Sequence, residues 1–187
     1  IVKKVIGMNY DSKIKKVEKI LKKSNIEIIK KFDISTKEKN YIHNWATKYN
    51  QKKKLKNVKY KSKNLGIGVL SSLVSIHQNE NFKEKEYIIK SALISSALVF
   101  ERTKKLIEKI KPDLIITFNN RFALSLPILE VAKAYNIKYY CHERGSTPNK
   151  YQIFKKSVHD VDERGDQIFQ LWKNTNSKLR NKFGKKY

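Results

Sequence analysis

Two short clusters in this 187-residue chain carry the side chains best suited to chemistry. The first is Asn119, Asn120 and Arg121, within FNNR, and the second is His142, Glu143, Arg144 and Gly145, the HERG run. An asparagine amide donates and accepts hydrogen bonds, and a guanidinium grips a carboxylate or phosphate bidentately. Glu143 has the chemistry of a general base or of a group that orients an acceptor hydroxyl. His142 can transfer a proton or bond a sugar hydroxyl near neutral pH. Arg144 suits a phosphate or a sugar acid, and Gly145 lets the backbone turn sharply. A structural reading competes at each cluster. Asn120 could take a left-handed turn with Arg121 as a cap. Glu143 and Arg144 could pair and stiffen their loop, with His142 as a polar bridge. Farther along, His159 and Asp160 form another polar pair, for which a solvent-facing helix start is the competing role. Asp162, Glu163 and Asp166 follow, but their spacing with Glu143 matches no metal motif, and no metal site is expected.

Strands must place both clusters. Leu114–Phe118 is apolar almost throughout, as a central parallel strand is. Leu124–Tyr135 has helical spacing, with Asn136 as a stop. Ile137–Cys141 reads as the next strand. Both clusters would then sit at the C-terminal ends of successive strands, where open parallel sheets hold ligands. The helix after Arg121 would add free amides for an anion. Upstream, Ile1–Met8 and Ile26–Ile29 read as strands around a helix at Ser12–Lys23. A polar helix is expected from about Lys37 to Gln51, then an exposed basic loop over Gln51–Lys63. LGIGVLSSL, from Leu65, holds GxG but not GxGxxG, so a packed helix start or tight turn outweighs a nucleotide fingerprint. Glu84–Lys111 predicts a long helix with a stripe through Ile88, Ala92, Val99 and Ile107, ended by Pro112. Tyr151 and Phe154 fold the loop after HERG back onto apolar surface. The last helix is expected over Asp166–Phe183, with Trp172 packed. This order predicts an α/β class: a Rossmann-like three-layer domain with a mostly parallel sheet and helical elaborations, one domain over 1–187 in which 166–187 is an interdomain helix.

Composition narrows the ligand. The formal net charge is +25, from 42 basic and 17 acidic residues. Such a field favours polyanions, anionic headgroups and negatively charged small substrates without choosing among them. Most lysines fall on helical surface stretches, so a compositional habit explains them better than a nucleic-acid surface does. The single cysteine, Cys141, excludes an internal disulfide framework and a cysteine metal cluster. It reads as buried rather than reactive and fits a reducing compartment. No apolar run reaches the length of a membrane span. Ser125 is not in a GxSxG elbow, and no Walker A or zinc spacing occurs.

Three blocks in order, LGIGVLSSLVSI at Leu65–Ile76, KPDLIITFNNRFALSLPILEVAKAYNIKYYCHERG at Lys111–Gly145 and YQIFKKSVHD at Tyr151–Asp160, resemble bacterial capsule or surface-polysaccharide biosynthesis proteins of the glycosyltransferase-like type. The resemblance covers roughly Tyr60–Trp172. Such relatives tend to carry glycine where Asn120 stands. The resemblance implies the N-terminal half of a two-domain GT-B-like enzyme, cytoplasmic or peripheral at an anionic inner membrane. Its donor would be a nucleotide sugar, with no covalently bound cofactor. Its acceptor would be a glycan or lipid-linked glycan. The C-terminal domain that binds the donor nucleotide would be the missing partner, since too few residues follow Trp172 to build it. Glu143 and His142 are the catalytic candidates so implied. Asn119, Asn120, Arg121, Arg144, Gly145, His159 and Asp160 are the substrate-binding candidates. The alternatives are a basic nucleic-acid-binding protein, with nucleic acid the less favoured ligand, and a non-catalytic partner domain.

Overall fold

The computed structural model describes residues 10–27, 29, 33–49, 55–79, 81, 83, 85–145, 147 and 149–184. The strand expected at Ile1–Met8 lies outside them. The chain divides into two compact units, Ile1–Asp33 and Ile34–Tyr187.

The first unit holds helix α1, Tyr10–Lys23, as its spacing predicts. Asn25 is left-handed (φ 55°), and the Ile26 amide reaches back to the Leu21 carbonyl at 3.0 Å. That is a Schellman-type stop. Ile26 therefore belongs to the helix end, and no strand forms over residues 26, 27 and 29.

The second unit opens with α2, Thr36–Thr47. Ser35 and Glu38 close a capping box, and Lys105 Nζ reaches Glu38 at 2.7 Å. These donors hold the Glu38 carboxyl at about 2. The expected basic loop instead forms a hairpin, β1 (Lys59–Tyr60) with β2 (Lys63–Asn64). Lys61 and Ser62 both take positive φ at its turn, the geometry that matches the strand twist. Leu55, Val58, Tyr60 and Leu65 are fully buried beneath the lysines.

Tyr60 is the hub. Its ring meets Trp45 and Phe100 edge-on. Its hydroxyl donates to Glu101 Oε1 at 2.7 Å, and Lys61 Nζ lies 2.6 Å from the same oxygen. Burial and the Glu101 carboxylate both push the phenol's pKa up. Glu101 sits on α4, Glu86–Ile110, whose buried stripe runs through Ile89, Leu93, Ala97 and Phe100. That stripe is one residue round from the expected Ile88, Ala92 and Val99, because Phe100 and Glu101 must reach the hairpin. Lys111 takes the left-handed cap just before Pro112.

Between hairpin and α4 lies α3, Gly66–His77, so the LGIG segment is indeed a packed helix start. A Cβ on Gly66 would stand 2.0 Å from the Leu55 carbonyl oxygen, so only glycine admits this approach.

The sheet is small and mixed: β3 (Leu114–Phe118), β4 (Lys138–Arg144) and β5 (Tyr151–Phe154), in that order. β3 and β4 are parallel, while β4 and β5 are antiparallel. Helix α5, Leu126–Ala134, packs on β3 and β4. Among the described residues β3 is an edge strand rather than central, and Ile116, Phe118 and Ile153 of the opposite face are exposed. The protein is thus mixed α/β and mostly helical. The expected single C-terminal helix is two, α6 (Val161–Asn174) and α7 (Ser177–Gly184). Thr175 is extended, and Asn176 caps the second through the Lys178 amide at 2.8 Å. Trp172 is exposed, not packed.

Two measurements check this core. Tyr60→Phe removes the phenol from a buried carboxylate and should lower the unfolding free energy in urea by about 1–3 kcal/mol. Glu38's depressed carboxyl stabilises the fold fully above about pH 4.5, and this contribution is lost as pH falls through about 2. Lys105→Met should therefore shrink the loss of stability between those limits; an unchanged acid transition would count against the pair.

Candidate functional site

The strand ends meet as their sequence position suggests, but by a different local geometry. Phe118 pairs with His142 in the parallel ladder, so β4 continues past the end of β3. It continues because β5 folds back beside it, with Glu143 opposite Gln152 and Arg144 opposite Tyr151. His142, Glu143 and Arg144 therefore lie within the strand instead of following it. Gly145 begins the hairpin turn, its amide bonded to the Lys150 carbonyl at 2.7 Å. A Cβ there would meet Lys150 at 2.8 Å, so close approach, not a left-handed turn, calls for glycine.

Alternation along β4 then separates the two catalytic candidates. Tyr139, Cys141 and Glu143 share the face covered by α5. Burial pushes the Cys141 thiol up to about 11, the inert cysteine that its place in a strand suggests. His142 points the other way, between the rings of Phe118 and Tyr151.

The turn after β3 organises the α5 side. Asn119, not Asn120, takes the left-handed conformation (φ 33°). Its amide Nδ2 donates to Glu143 Oε2 at 2.6 Å, and its Oδ1 accepts from the Arg121 amide at 3.3 Å. Its backbone carbonyl accepts from the Ser125 hydroxyl. Asn120 turns inward. Its Nδ2 donates to the Lys156 carbonyl at 2.9 Å, and its Oδ1 accepts from Ser157 Oγ at 3.0 Å. Both asparagines are buried, and both are satisfied. Glu143 also accepts from the Arg144 amide at 2.9 Å, so two of its roughly four acceptor positions are taken.

Beside this turn opens a groove of about 580 Å³. Arg121, Lys133 and Lys156 border it, with Ser71, Ser157 and Asn120 as hydrogen-bonding groups. Ile67, Leu126, Leu129 and Tyr139 form its apolar floor. Arg121 lies 4.6 Å over the Phe122 ring and joins no ion pair among the described residues. Lys133 meets Glu130 at 3.2 Å, and Lys156 meets Asp160 at 3.9 Å. Exposed pairs of this kind hold their cations weakly, so all three charges remain available to an anion.

Of the expected residues, Asn119, Asn120, Arg121 and Glu143 come together. His159 stands within electrostatic reach: partial burial first, then Arg121 and Arg164, lower its pKa below the usual imidazole range, against Glu143. Asp160 is the N-cap of α6, accepting from the Glu163 amide at 2.8 Å. Arg144 is exposed at the hairpin mouth, away from the groove. Lys133, Lys156, Ser71, Ser157 and Tyr139 were not singled out as site residues. All five fall in the three blocks, Ser71 in LGIGVLSSLVSI, Lys133 and Tyr139 in the Lys111–Gly145 block, and Lys156 and Ser157 in YQIFKKSVHD, which offered a signal. Among the described residues no three potential metal ligands converge. No protein-family model, curated protein or solved structure matches the chain.

Asn120→Ala strips two hydrogen bonds from a buried position. It should cost about 1–3 kcal/mol of stability and speed amide exchange at Lys156 and Ser157. By proton NMR His159 should titrate below 6.5, and Arg121→Gln should raise its midpoint. A midpoint unmoved by that change would place Arg121 elsewhere.

Proposed function

We propose that this chain supplies the acceptor-side domain of a nucleotide-sugar-dependent glycosyltransferase in capsule or surface-polysaccharide synthesis. The observation that supports this most is the groove bordered by Arg121, Lys133 and Lys156 beside the end of β3, with Glu143 outside its lining but tied to Arg121 through Asn119 by two hydrogen bonds. Three cations over an apolar floor fit the phosphate and the lipid-proximal part of a lipid-linked glycan acceptor. Asn120 and the two serines add groups that suit a sugar ring. In an inverting reaction, Glu143 would take the proton of the acceptor hydroxyl as that oxygen bonds to the donor's anomeric carbon. The bond from that carbon to the diphosphate would break, and the nucleoside diphosphate would leave with the electron pair.

Asn119 has a positioning role in this scheme, because it holds Glu143 Oε2. His142 faces the opposite side of the sheet and has no part in the same proton transfer. A separate nucleotide-sugar-binding domain would supply the donor. The open sheet face, where Ile116, Phe118 and Ile153 are exposed, is where a second helical layer of a Rossmann-like three-layer domain would pack. Work on a lipid-linked acceptor would place the enzyme in the cytoplasm beside the inner membrane.

The test combines titration of the chain with a short-chain lipid-phosphate sugar and transfer assays on the full reading frame across a panel of nucleotide sugars. Arg121→Gln and Lys156→Gln should each weaken acceptor binding about tenfold, the loss of one charge-assisted contact. Glu143→Gln should leave binding in place and abolish turnover. Binding indifferent to Arg121 and Lys156, or turnover indifferent to Glu143, would sink this assignment.

A further inference from the structure

Helix α6 is attached to the sheet the wrong way round for a soluble helix. Its polar side faces β5: the Glu163 carboxylate accepts from the amides of Lys155 and Lys156 at 2.5 and 2.9 Å, and Gln167 Nε2 donates to the Ile153 carbonyl at 3.3 Å. Asp162 and Asp166 border a second groove, between α6 and Lys155–Lys156. Glu163 is half-buried there, while Asp162 and Asp166 stay exposed along that groove. The apolar residues are turned out. Val161, Ile168 and Trp172 recur at helical spacing and are 80%, 64% and 52% exposed, with Phe169 and Leu171 on either flank. No residue of α6 is buried. Leu179 of α7 extends the exposed apolar set.

Charge says what this surface suits. From Gln167 to Tyr187 the sequence holds six lysines and arginines and no aspartate or glutamate. Lys173, Lys178 and Lys182 are exposed. The Arg180 guanidinium lies 5.3 Å over the Trp172 ring, which puts a cation against the apolar stripe itself. An outward apolar stripe with an exposed indole, edged by cations at its C-terminal end, is the pattern of a helix that lies in a lipid headgroup layer. Four cations of the described residues, Lys173, Lys178, Arg180 and Lys182, thus gather beside Trp172 and Leu179, where no carboxylate follows Asp166 in the sequence.

We propose that α6 and α7 form an interfacial patch that seats this protein on an anionic phospholipid surface. Trp172, Ile168 and Phe169 enter the headgroup–acyl boundary, and the lysines and Arg180 meet the lipid phosphates. Among the described residues no helix is long and apolar enough to cross a membrane, so the contact is peripheral. It is independent of the sugar-transfer reading, since the patch and the groove share no residue.

The full chain should sediment with vesicles of phosphatidylglycerol and phosphatidylcholine but not with phosphatidylcholine alone, and salt should weaken the binding. Brominated lipid should quench Trp172. Ile168→Ser with Trp172→Ser should reduce partitioning at least about tenfold, and Lys178→Gln with Arg180→Gln, which leaves the stripe intact, about fivefold per charge. Circular dichroism confirms that each variant folds. Failure to bind anionic vesicles, or binding unchanged in a folded variant of either kind, overturns the proposal. So does a concentration-dependent dimer that the serine variant dissolves while vesicles capture nothing; the stripe would then be covered by a second copy.

Discussion

Two buried asparagine side chains fix everything near the groove. A primary amide removed from water loses more free energy than an ordinary hydrogen bond returns, unless its groups find partners. Asn119 and Asn120 find them in different places. Asn119 ties the end of β3 to Glu143 on β4, while Asn120 ties it to the Lys156–Ser157 segment that follows β5. Three stretches far apart in sequence are thus held at one corner. The left-handed backbone of Asn119 aims the two amides in these separate directions. Arg121 comes next in the chain, and its position follows from the same turn.

The far wall of the groove depends on the core. Helix α3 carries Ile67 and Ser71 to the groove, and Ser72 Oγ accepts from the Ala123 amide at 2.8 Å just beyond the turn. That helix is placed by its first residue, Gly66, whose amide bonds the Val58 carbonyl at 3.0 Å. Val58 leads into the hairpin that Tyr60 and Glu101 lock onto α4. A buried carboxylate costs free energy in isolation, and here a phenol and an ammonium offset that cost. The hairpin and the groove wall are therefore parts of one packed assembly.

The sequence revealed elements better than neighbours. The long helix ending before Pro112, the strand at Leu114–Phe118 and the helix at Leu126–Ala134 follow from periodicity and breakers that act locally. The hairpin at Lys59–Asn64 did not, because its turn is Lys61–Ser62 without glycine or asparagine, and its buried Leu55, Val58 and Tyr60 are interleaved with lysines. Strand β5 was hidden for another reason: Tyr151, Gln152 and Ile153 are exposed, so only Phe154 marks its inward face. Without β5, the extension of β4 through His142, Glu143 and Arg144 could not be anticipated. The FNNR and HERG clusters were legible as chemistry, but which of their members face the groove depends on pairing that no single segment encodes. Lys133 stands on the surface of α5 like many other lysines and is distinguished only by what lies across from it.

A chain with 42 basic residues needs more than charge to recognise one anion. A field of this size raises the local concentration of any negative ligand and speeds encounter, but it is nearly blind to ligand shape. Selectivity needs cations whose directions are set before binding. Arg121 meets that condition. Its backbone amide is tied to Asn119, its guanidinium rests on the Phe122 ring, and no carboxylate among the described residues engages it. A lysine at this position would keep the charge and lose both the planar fork and the stacking. In the proposed site, the flexible ammonium groups of Lys133 and Lys156 would then adjust to an anion oriented by Arg121. Scarce arginine in a lysine-rich chain is thus more informative than the net charge, because under the proposed reading it marks where geometry rather than field strength would select the ligand.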